Sequence, residues 1–324
     1  MKALVFDEPR RAAVRDLETP SIAADEVLVR SRNVGICHSD FELYEGRYII
    51  PVSYPIIPGH EWAGEVAEVG SAVTTVRPGD RVVGECVVNN GNDHFGFSIS
   101  GANAELFVAK ASWLHVIPDE LSFAQGAFVE PFSVAYSATV AAGGIDGSDE
   151  VAVIGGGPIG LLCAMAAATM GASVTLVEPQ VHRRALGLEV GARHALDPTA
   201  APLAEQAAEV TRGRGFDVVI EAAGAPAAMA SALPIAGLGA RLVFVGIDVG
   251  GSAPVEIGLV QSKALQIRGI IGSAGLWPRT IRFMATSGVD PTPLLTARFP
   301  LQDAPAALEA ARDTSRNVKV QIEC

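Results

Sequence analysis

The sequence predicts an α/β protein that combines a barrel-like β domain with a doubly wound, parallel-sheet domain. In its first 130 residues, short apolar segments alternate with Pro, Gly and Asp, which is typical of antiparallel strands joined by turns. From residue 151 onward, apolar strands alternate with segments of helical periodicity. This second pattern favours a parallel sheet that is covered by helices on both faces.

The elements of the two domains follow in order along the chain. The short apolar segments of the first domain lie at 2–6, 26–31, 62–70, 80–88 and 104–109. Later strands are predicted at 151–155, 173–178, 194–197, 216–224, 241–247, 265–271 and 318–322. Helices are predicted at 131–144, 158–171, 181–191, 203–213, 227–237, 278–288 and 304–313. Because the tail after Ser273 is expected to rejoin the first domain, the predicted domains are 1–135 with 275–324, and 136–274.

Composition argues against several classes of protein. The 324 residues are 49% hydrophobic and 19% charged, and the formal net charge of −12 comes without any stripe of Lys or Arg. Nucleic acid is therefore not an expected partner. The four cysteines are scattered and form no Cys-x-x-Cys pair, so no disulfide framework is predicted, as in a reducing compartment.

Neither a secretory signal nor a membrane span is predicted. The first residues lack the charged-then-apolar order of a signal peptide. The apolar run at 151–170 is interrupted by glycines and a proline, which indicates a buried strand and helix. The expected location is the cytoplasm, with no membrane partner.

A glycine turn at the start of the second domain predicts a pyrophosphate site. Gly155, Gly157 and Gly160 form the pattern G-x-G-x-x-G directly between a strand and a helix. The first glycine permits the tight turn, the second lets the backbone approach the anion, and the third allows close strand–helix packing. Pro158 and Ile159 begin the helix, whose free N–H groups attract a phosphate.

The cofactor expected at this turn is NAD. Glu178 lies at the end of the next strand, where it can accept a hydrogen bond from a ribose 2′-hydroxyl and would repel a 2′-phosphate. Arg183 and Arg184 follow closely, and because either could reach a phosphate they weaken the preference for NAD over NADP.

Four side chains of the first domain are candidate metal ligands, namely Cys37, His60, Glu61 and Glu130. Thiolate, imidazole and carboxylate are the ligand types that zinc accepts at a catalytic site with one open position. Their spacing alone is uninformative, since a lone Cys commonly belongs to a core and a His-Glu pair to a surface. The residues by themselves leave both interpretations open.

Five motifs together resemble a known family, and they occur in its order: GICHSD (35–40), GHEWAGEV (59–66), VRPGDRV (76–82), EPFSV (130–134) and GGGPIG (155–160). The chain is similar to the zinc-dependent medium-chain alcohol and polyol dehydrogenases. Its Glu-Pro pair resembles the branch of sorbitol, threonine and inosamine dehydrogenases. The resemblance implies a GroES-like β-barrel catalytic domain and an inserted Rossmann domain that binds NAD.

The resemblance also implies roles for the residues of the first domain. Cys37 and His60 would be zinc ligands, and Glu130 would take the third ligand's place. Glu61 would be either a fixed ligand or an exchangeable ligand that displaces water during turnover. Asp40 would orient the His60 ring without itself binding the metal.

A proton route follows from the same resemblance. Zinc would lower the pKa of the substrate hydroxyl. Ser39 would relay the proton toward the cofactor ribose, with His38 as its final acceptor.

In the second domain, the resemblance places backbone groups beside the nicotinamide, at Val245, Gly246, Ile271 and Ser273, and implies a closure of the domains that excludes water. The segment 84–109 departs from the family pattern, because it is short and contains only Cys86. A site of four thiolates cannot be built from it, so one catalytic zinc and no structural zinc are predicted.

The expected reaction is hydride transfer between NAD and a secondary alcohol of a polyol, an aminocyclitol or a sugar. Two alternatives stay open: a zinc-free quinone or enoyl reductase of the same superfamily, and a non-catalytic dinucleotide-binding protein. A homo-oligomer, dimer or tetramer, is expected, although the short segment at 84–109 removes a lobe that often supports subunit contacts in the family.

Overall fold

The computed structural model describes residues 1–48, 50–273 and 275–324. The chain divides into two compact units. The first contains Met1–Glu130 and Trp277–Cys324, and the second contains Pro131–Leu276. The domain limit predicted at residue 274 lies outside the described residues.

The strands and helices are labelled in chain order. The strands are β1 (Lys2–Glu8), β2 (Arg11–Asp16), β3 (Glu26–Gly35), β4 (Glu61–Val69), β5 (Arg81–Gly84), β6 (Val87–Val88), β7 (Asp93–His94), β8 (Leu106–Lys110), β9 (Leu114–Val116), β10 (Glu150–Ile154), β11 (Ser173–Val177), β12 (His194–Leu196), β13 (Phe216–Glu221), β14 (Ala236–Phe244), β15 (Gln266–Gly269), β16 (Leu295–Pro300) and β17 (Lys319–Glu323). The α-helices are α1 (His38–Tyr44), α2 (Phe123–Gly126), α3 (Val129–Ala141), α4 (Pro158–Thr169), α5 (Val181–Glu189), α6 (Leu203–Thr211), α7 (Pro226–Ile235), α8 (Leu259–Ser262), α9 (Trp277–Thr286) and α10 (Ala304–Arg312).

The first unit is built around a largely antiparallel sheet in the order β16–β17–β3–β4–β5–β9, with β8 also paired to β3. Its apolar residues alternate with polar ones, so that Val27, Val29 and Val66 pack with Phe95 and Phe107 in a buried core. The parallel pair β16–β17 comes from the tail, and β17 pairs with β3.

Two registers of this sheet bring distant segments side by side. Gly35 at the end of β3 lies opposite Glu61, the first residue of β4. On its other side, Gly35 lies opposite Gln321 of β17. The segments around residues 35, 61 and 321 are therefore neighbours in space.

The second unit contains a parallel sheet in the order β12–β11–β10–β13–β14–β15. Its strands are apolar on both faces, and Val151, Val153, Val219 and Leu242 are buried. The chain runs from β10 to one edge and then returns to β13 on the other side of β10. Ligands of open α/β sheets bind at such a switch point, outside the carboxyl ends of the strands.

Seven strands and α-helices of the structure were missed by the sequence prediction, namely β2, β7, β9, β16, α1, α2 and α8. The helices α1, α2 and α8 span seven, four and four residues, which is too short for a 3.6-residue period to be recognised. The strand β16 lies in a proline-rich stretch for which the sequence predicted no regular structure. The helix α3 begins at Val129, two residues before its predicted start.

No helix within the described parts of the chain combines the length and apolar character that crossing a membrane requires.

Gly160→Ala should lower the free energy of unfolding by about 1–3 kcal/mol. A methyl group on Gly160 would overlap the carbonyl oxygen of Gly155, against which α4 packs. Urea denaturation measures the change. Gly157→Ala is the matched control, because a methyl group there meets no atom within 4 Å and the φ of −72° suits alanine. Its stability should stay within about 1 kcal/mol of the wild type. A Gly160→Ala protein as stable as the control would contradict this packing.

Candidate active site

The segment that carries Cys37 is held by the start of α1. Cys37 is the residue before the helix, and its backbone N–H donates to Asp40 Oδ2 at 2.8 Å. A carboxylate in the first helical turn satisfies a free N–H and interacts well with the helix dipole. Asp40 is buried, and its second oxygen lies 3.5 Å from His60 Nδ1. Asp40 therefore connects the Cys37 loop to His60.

His60 and Glu61 lie at the beginning of β4, and both side chains are buried. The imidazole packs against the ring of Phe97, with centroids 4.6 Å apart. Because Nδ1 faces Asp40, Nε2 is the nitrogen that remains for a metal.

The structure brings three of the predicted ligands together. One ligand atom each from Cys37, His60 and Glu61 lies within 4.8 Å of the other two. Glu130 is not part of this group in the described portion of the chain. Thiolate, imidazole and carboxylate at this separation form a donor set that suits zinc.

The electrostatics of the group also suit a cation. Burial lowers the pKa of His60, but the negative charge of Asp40 3.5 Å away, together with Cys37, outweighs burial and raises the pKa well above its ordinary value. Surroundings that favour a proton on the imidazole favour a metal cation in its place. The residues present therefore fit the zinc ion that the sequence motifs imply.

Glu130 lies in the first turn of α3, where the charges of Glu61 and His60 act on its carboxyl group. Burial raises the pKa of Glu130 to about 7, with the charge of Glu61 adding to the rise and that of His60 opposing it.

Lys319 is a residue of this site that the sequence analysis missed. Its side chain on β17 is buried, its Nζ forms an ion pair with Glu61 Oε2, and the same Nζ donates to the carbonyl of Ile36 at 3.1 Å. Burial lowers the pKa of Lys319, but the charges of Glu61 and Cys37 outweigh it and give a net increase. A lysine within the apolar stretch VKVQI was the available signal.

Ser39 and His38 occupy the first turn of α1. Ser39 is half-buried, whereas the His38 imidazole is 85% exposed, with Nε2 3.6 Å from Glu42 Oε1. The two residues thus lie at the boundary between the buried group and solvent.

An aromatic stack borders the same group. The Tyr48 ring lies parallel to that of Phe97, with centroids 4.4 Å apart, and Phe97 in turn contacts His60. Burial, reinforced by the charge of Cys86, raises the pKa of Tyr48 to about 12. Phe97 was not predicted as a site residue, because it lies in the segment 84–109, where no motif marks it.

In the second unit, the predicted glycine turn joins β10 to α4. Gly155 has a φ of +102°, and a side chain at Gly160 would meet the Gly155 carbonyl. Gly157 precedes α4 in extended conformation, and Pro158 and Ile159 form the first turn of that helix. The N–H groups in the first turn of α4 have no carbonyl partner within the helix, so they are the donors for a bound anion.

Glu178 follows β11 and reaches back to the glycine turn. Its Oε2 accepts from the Gly156 N–H at 2.7 Å and its Oε1 from the Gln180 N–H at 2.8 Å. Arg184 donates to the carbonyl of Glu178 at 2.7 Å and pairs with Asp197 at 3.1 Å. Arg184 is thus engaged in contacts within the second unit.

The carboxyl end of β13 contains a second buried carboxylate, Glu221, that the sequence analysis missed. Glu221 Oε1 accepts from the N–H groups of Ala223 and Gly224 at 2.9 and 3.0 Å. The N–H groups of Val245 and Gly246 donate to its backbone carbonyl. An acid at the carboxyl end of a parallel strand, in FDVVIEAAG, was the available signal.

The last two predicted cofactor residues differ in environment. Ile271 is 82% exposed. Ser273 is buried, and its Oγ accepts from the Ser133 hydroxyl at 2.5 Å.

Comparison with known proteins assigns the family. The family model described as "Alcohol dehydrogenase GroES-like domain" matches residues 23–119, and the one described as "Zinc-binding dehydrogenase" matches residues 158–286. Sorbitol dehydrogenase of Bacillus subtilis (strain 168) is 34% identical over 96% of this chain and 93% of that protein. The chain therefore belongs to the zinc-dependent medium-chain alcohol and polyol dehydrogenases, as its motifs predicted.

Solved structures agree with this assignment. The 2R,3R-butanediol dehydrogenase from Bacillus subtilis superposes with a TM-score of 0.92 at 30% identity, covering 100% of this chain and 99% of that chain. A protein from Sinorhizobium meliloti 1021, solved bound to NADP, gives the same TM-score and coverage at 28% identity. The predicted fold class, a GroES-like domain with a Rossmann domain, is confirmed. So is the predicted class of enzyme, an alcohol or polyol oxidoreductase that uses zinc and a nicotinamide cofactor.

Asp40→Asn should weaken zinc binding by about 10- to 100-fold, because the amide no longer orients and polarises the His60 imidazole. Zinc affinity is measured by competition with a chelator of known affinity. Asp119→Asn is the control, since that carboxylate is fully exposed beside Arg81. Wild-type zinc affinity in the Asp40→Asn protein would contradict the role given to this contact.

Proposed function

We propose that this chain is an NAD-dependent dehydrogenase with one catalytic zinc, which transfers hydride between NAD and a secondary alcohol of a polyol, an aminocyclitol or a sugar. The observation that carries the proposal is the convergence of Cys37, His60 and Glu61 within 4.8 Å. The names of the similar proteins, a sorbitol dehydrogenase and a butanediol dehydrogenase, support a substrate with several hydroxyls.

Cys37 and His60 would hold the zinc as permanent ligands, with Glu61 and Glu130 as the carboxylates beside it. When bound, the metal lowers the pKa of a substrate hydroxyl and the nicotinamide accepts the hydride. Asp40 keeps the His60 ring in one orientation and tautomer, which presets the geometry of the site.

Ser39 would take the proton of the substrate hydroxyl on its Oγ and pass it on toward the cofactor ribose and His38. The half-buried Ser39 and the exposed His38 support this direction, because the route then ends at a ring in contact with water. A positioned relay group of this kind contributes about 10²- to 10⁴-fold to a rate.

The buried Glu178 supports NAD as the preferred cofactor. Each carboxylate oxygen accepts one backbone N–H and retains a further lone pair for a ribose hydroxyl. Gly155, Gly157 and Gly160 with the start of α4 would bind the pyrophosphate. Arg183 would line the adenosine side. The nicotinamide would lie beside the backbone at Val245, Gly246, Ile271 and Ser273.

Segment 84–109 contains Cys86 as its one cysteine, which supports a single catalytic zinc without a structural one. The cytoplasmic location stays a prediction.

The second unit supports the expected homo-oligomer. Among the described residues, β15 is an edge strand whose residues Gln266–Gly269 are all exposed, and the side chain of Ile271, two residues beyond it, is exposed as well. An unpaired edge next to an exposed apolar side chain favours pairing with a second copy of the chain.

The purified protein should oxidise polyols with NAD, and Cys37→Ser should abolish turnover while leaving NADH affinity unchanged. The experiment is a panel of polyols, aminocyclitols, sugars and simple alcohols, followed by NADH absorbance, with zinc content measured on each protein. Cys324→Ser is the matched control, because that cysteine is outside the metal group. Full turnover by Cys37→Ser would remove this residue from the site, and turnover of quinones or enoyl substrates alone would favour a reductase.

Glu178→Gln should reduce the preference for NAD over NADP by about 10- to 100-fold, because the amide keeps an acceptor for Gly156 but loses the charge that repels a 2′-phosphate. The ratio of kcat/KM for the two cofactors measures this. Glu256→Gln, at an exposed position of the same unit, is the control. An unchanged ratio would show that Glu178 does not discriminate between the two cofactors.

A further inference from the structure

Lys319 is a buried cation placed directly against a candidate metal ligand. It is 3% exposed, and Glu61, its ion-pair partner, is 1% exposed. A buried ammonium group requires compensation, which Glu61 and the Ile36 carbonyl supply here. The sheet enforces this pairing, since β3 lies between the strand that carries Lys319 and the strand that begins at Glu61.

The backbone at Gly35 is shaped for the same contact. Gly35 lies opposite Glu61 across the β3–β4 pair, and a methyl group on Gly35 would overlap Glu61 Oε2. The absence of a side chain at residue 35 therefore gives the carboxylate the space in which it meets Lys319.

With zinc bound, the Glu61 carboxylate would be shared between two cations. Oε2 faces the Lys319 ammonium, while the same side chain belongs to the group with Cys37 and His60. A carboxylate that already compensates an ammonium carries less charge for a metal, and it gains an alternative partner when it leaves that metal.

We propose that Lys319 is a positioning residue that weakens Glu61 as a zinc ligand and makes Glu61 the carboxylate that gives way to a substrate hydroxyl. The inference rests on the proposed zinc site. It distinguishes Glu61, the member of the group that pairs directly with Lys319, from Cys37 and His60, which would stay on the metal.

The test measures the release of zinc from the loaded protein to excess EDTA. Lys319→Met should slow the release by about tenfold or more. Without the ammonium group, the whole negative charge of Glu61 acts on the zinc ion. It should also raise the KM for the alcohol, whose hydroxyl must displace a stronger ligand, and leave the KM for NAD unchanged. Lys319→Gln, which keeps a polar group for Ile36, should act in the same direction and is the second variant where Lys319→Met folds poorly.

A double-mutant cycle separates this contact from a general effect of charge. In a Glu61→Gln background, Lys319→Met should change zinc release by less than about twofold. Lys263→Met is the matched control, since Lys263 donates to backbone carbonyls of the second unit and should leave zinc release unchanged.

Three results would overturn the proposal: wild-type or faster zinc release from Lys319→Met, a similar slowing in both backgrounds, or an unchanged KM for the alcohol. Cys37→Ser keeps this outcome distinct from failure of the zinc site itself. If the Cys37→Ser protein loses its zinc while the Lys319→Met protein behaves like the wild type, only the role of Lys319 is contradicted. A Cys37→Ser protein that retains full zinc contradicts the site on which the inference rests.

Discussion

The pairing of β3 with both β4 and β17 is the constraint on which the candidate site depends. It sets Gly35 opposite Glu61 on one side and opposite Gln321 on the other. A shift of one residue in either register would turn the Glu61 or Lys319 side chain to the opposite face of the sheet. The site is thus held by backbone hydrogen bonds between segments that are far apart in sequence.

Close to these paired strands, the first unit buries several charged side chains. Asp40, Glu61 and Lys319 are all nearly inaccessible to water, and Cys37 and His60 lie against them. Isolated buried charges are strongly unfavourable, so each must be compensated by a partner or by a bound cation. Asp40 is compensated by an N–H group and an imidazole, and Glu61 by an ammonium. A zinc ion would complete this arrangement, and the same arrangement explains why Glu61 differs from the other candidate ligands.

The parts that sequence could predict are those encoded locally. The glycines at 155, 157 and 160 lie next to each other in sequence, so their turn and the helix that follows were correctly predicted. Cys37, His60 and Glu61 were found because they belong to motifs that resemble a family. Lys319, Phe97 and Glu221 were missed, since their importance arises only when distant strands and loops meet. The short helix α1 was missed because seven residues show no periodicity, although its start holds Cys37 in place.

Anomalous diffraction at the zinc absorption edge, on crystals of the purified protein, tests the central claim most directly. The account predicts one peak per chain, within bonding distance of the Cys37 thiolate and the His60 Nε2 atom, at about 2.3 and 2.0–2.1 Å. A zinc-loaded protein whose peak lies elsewhere, or whose Cys37 and His60 side chains point away from the metal, would contradict it.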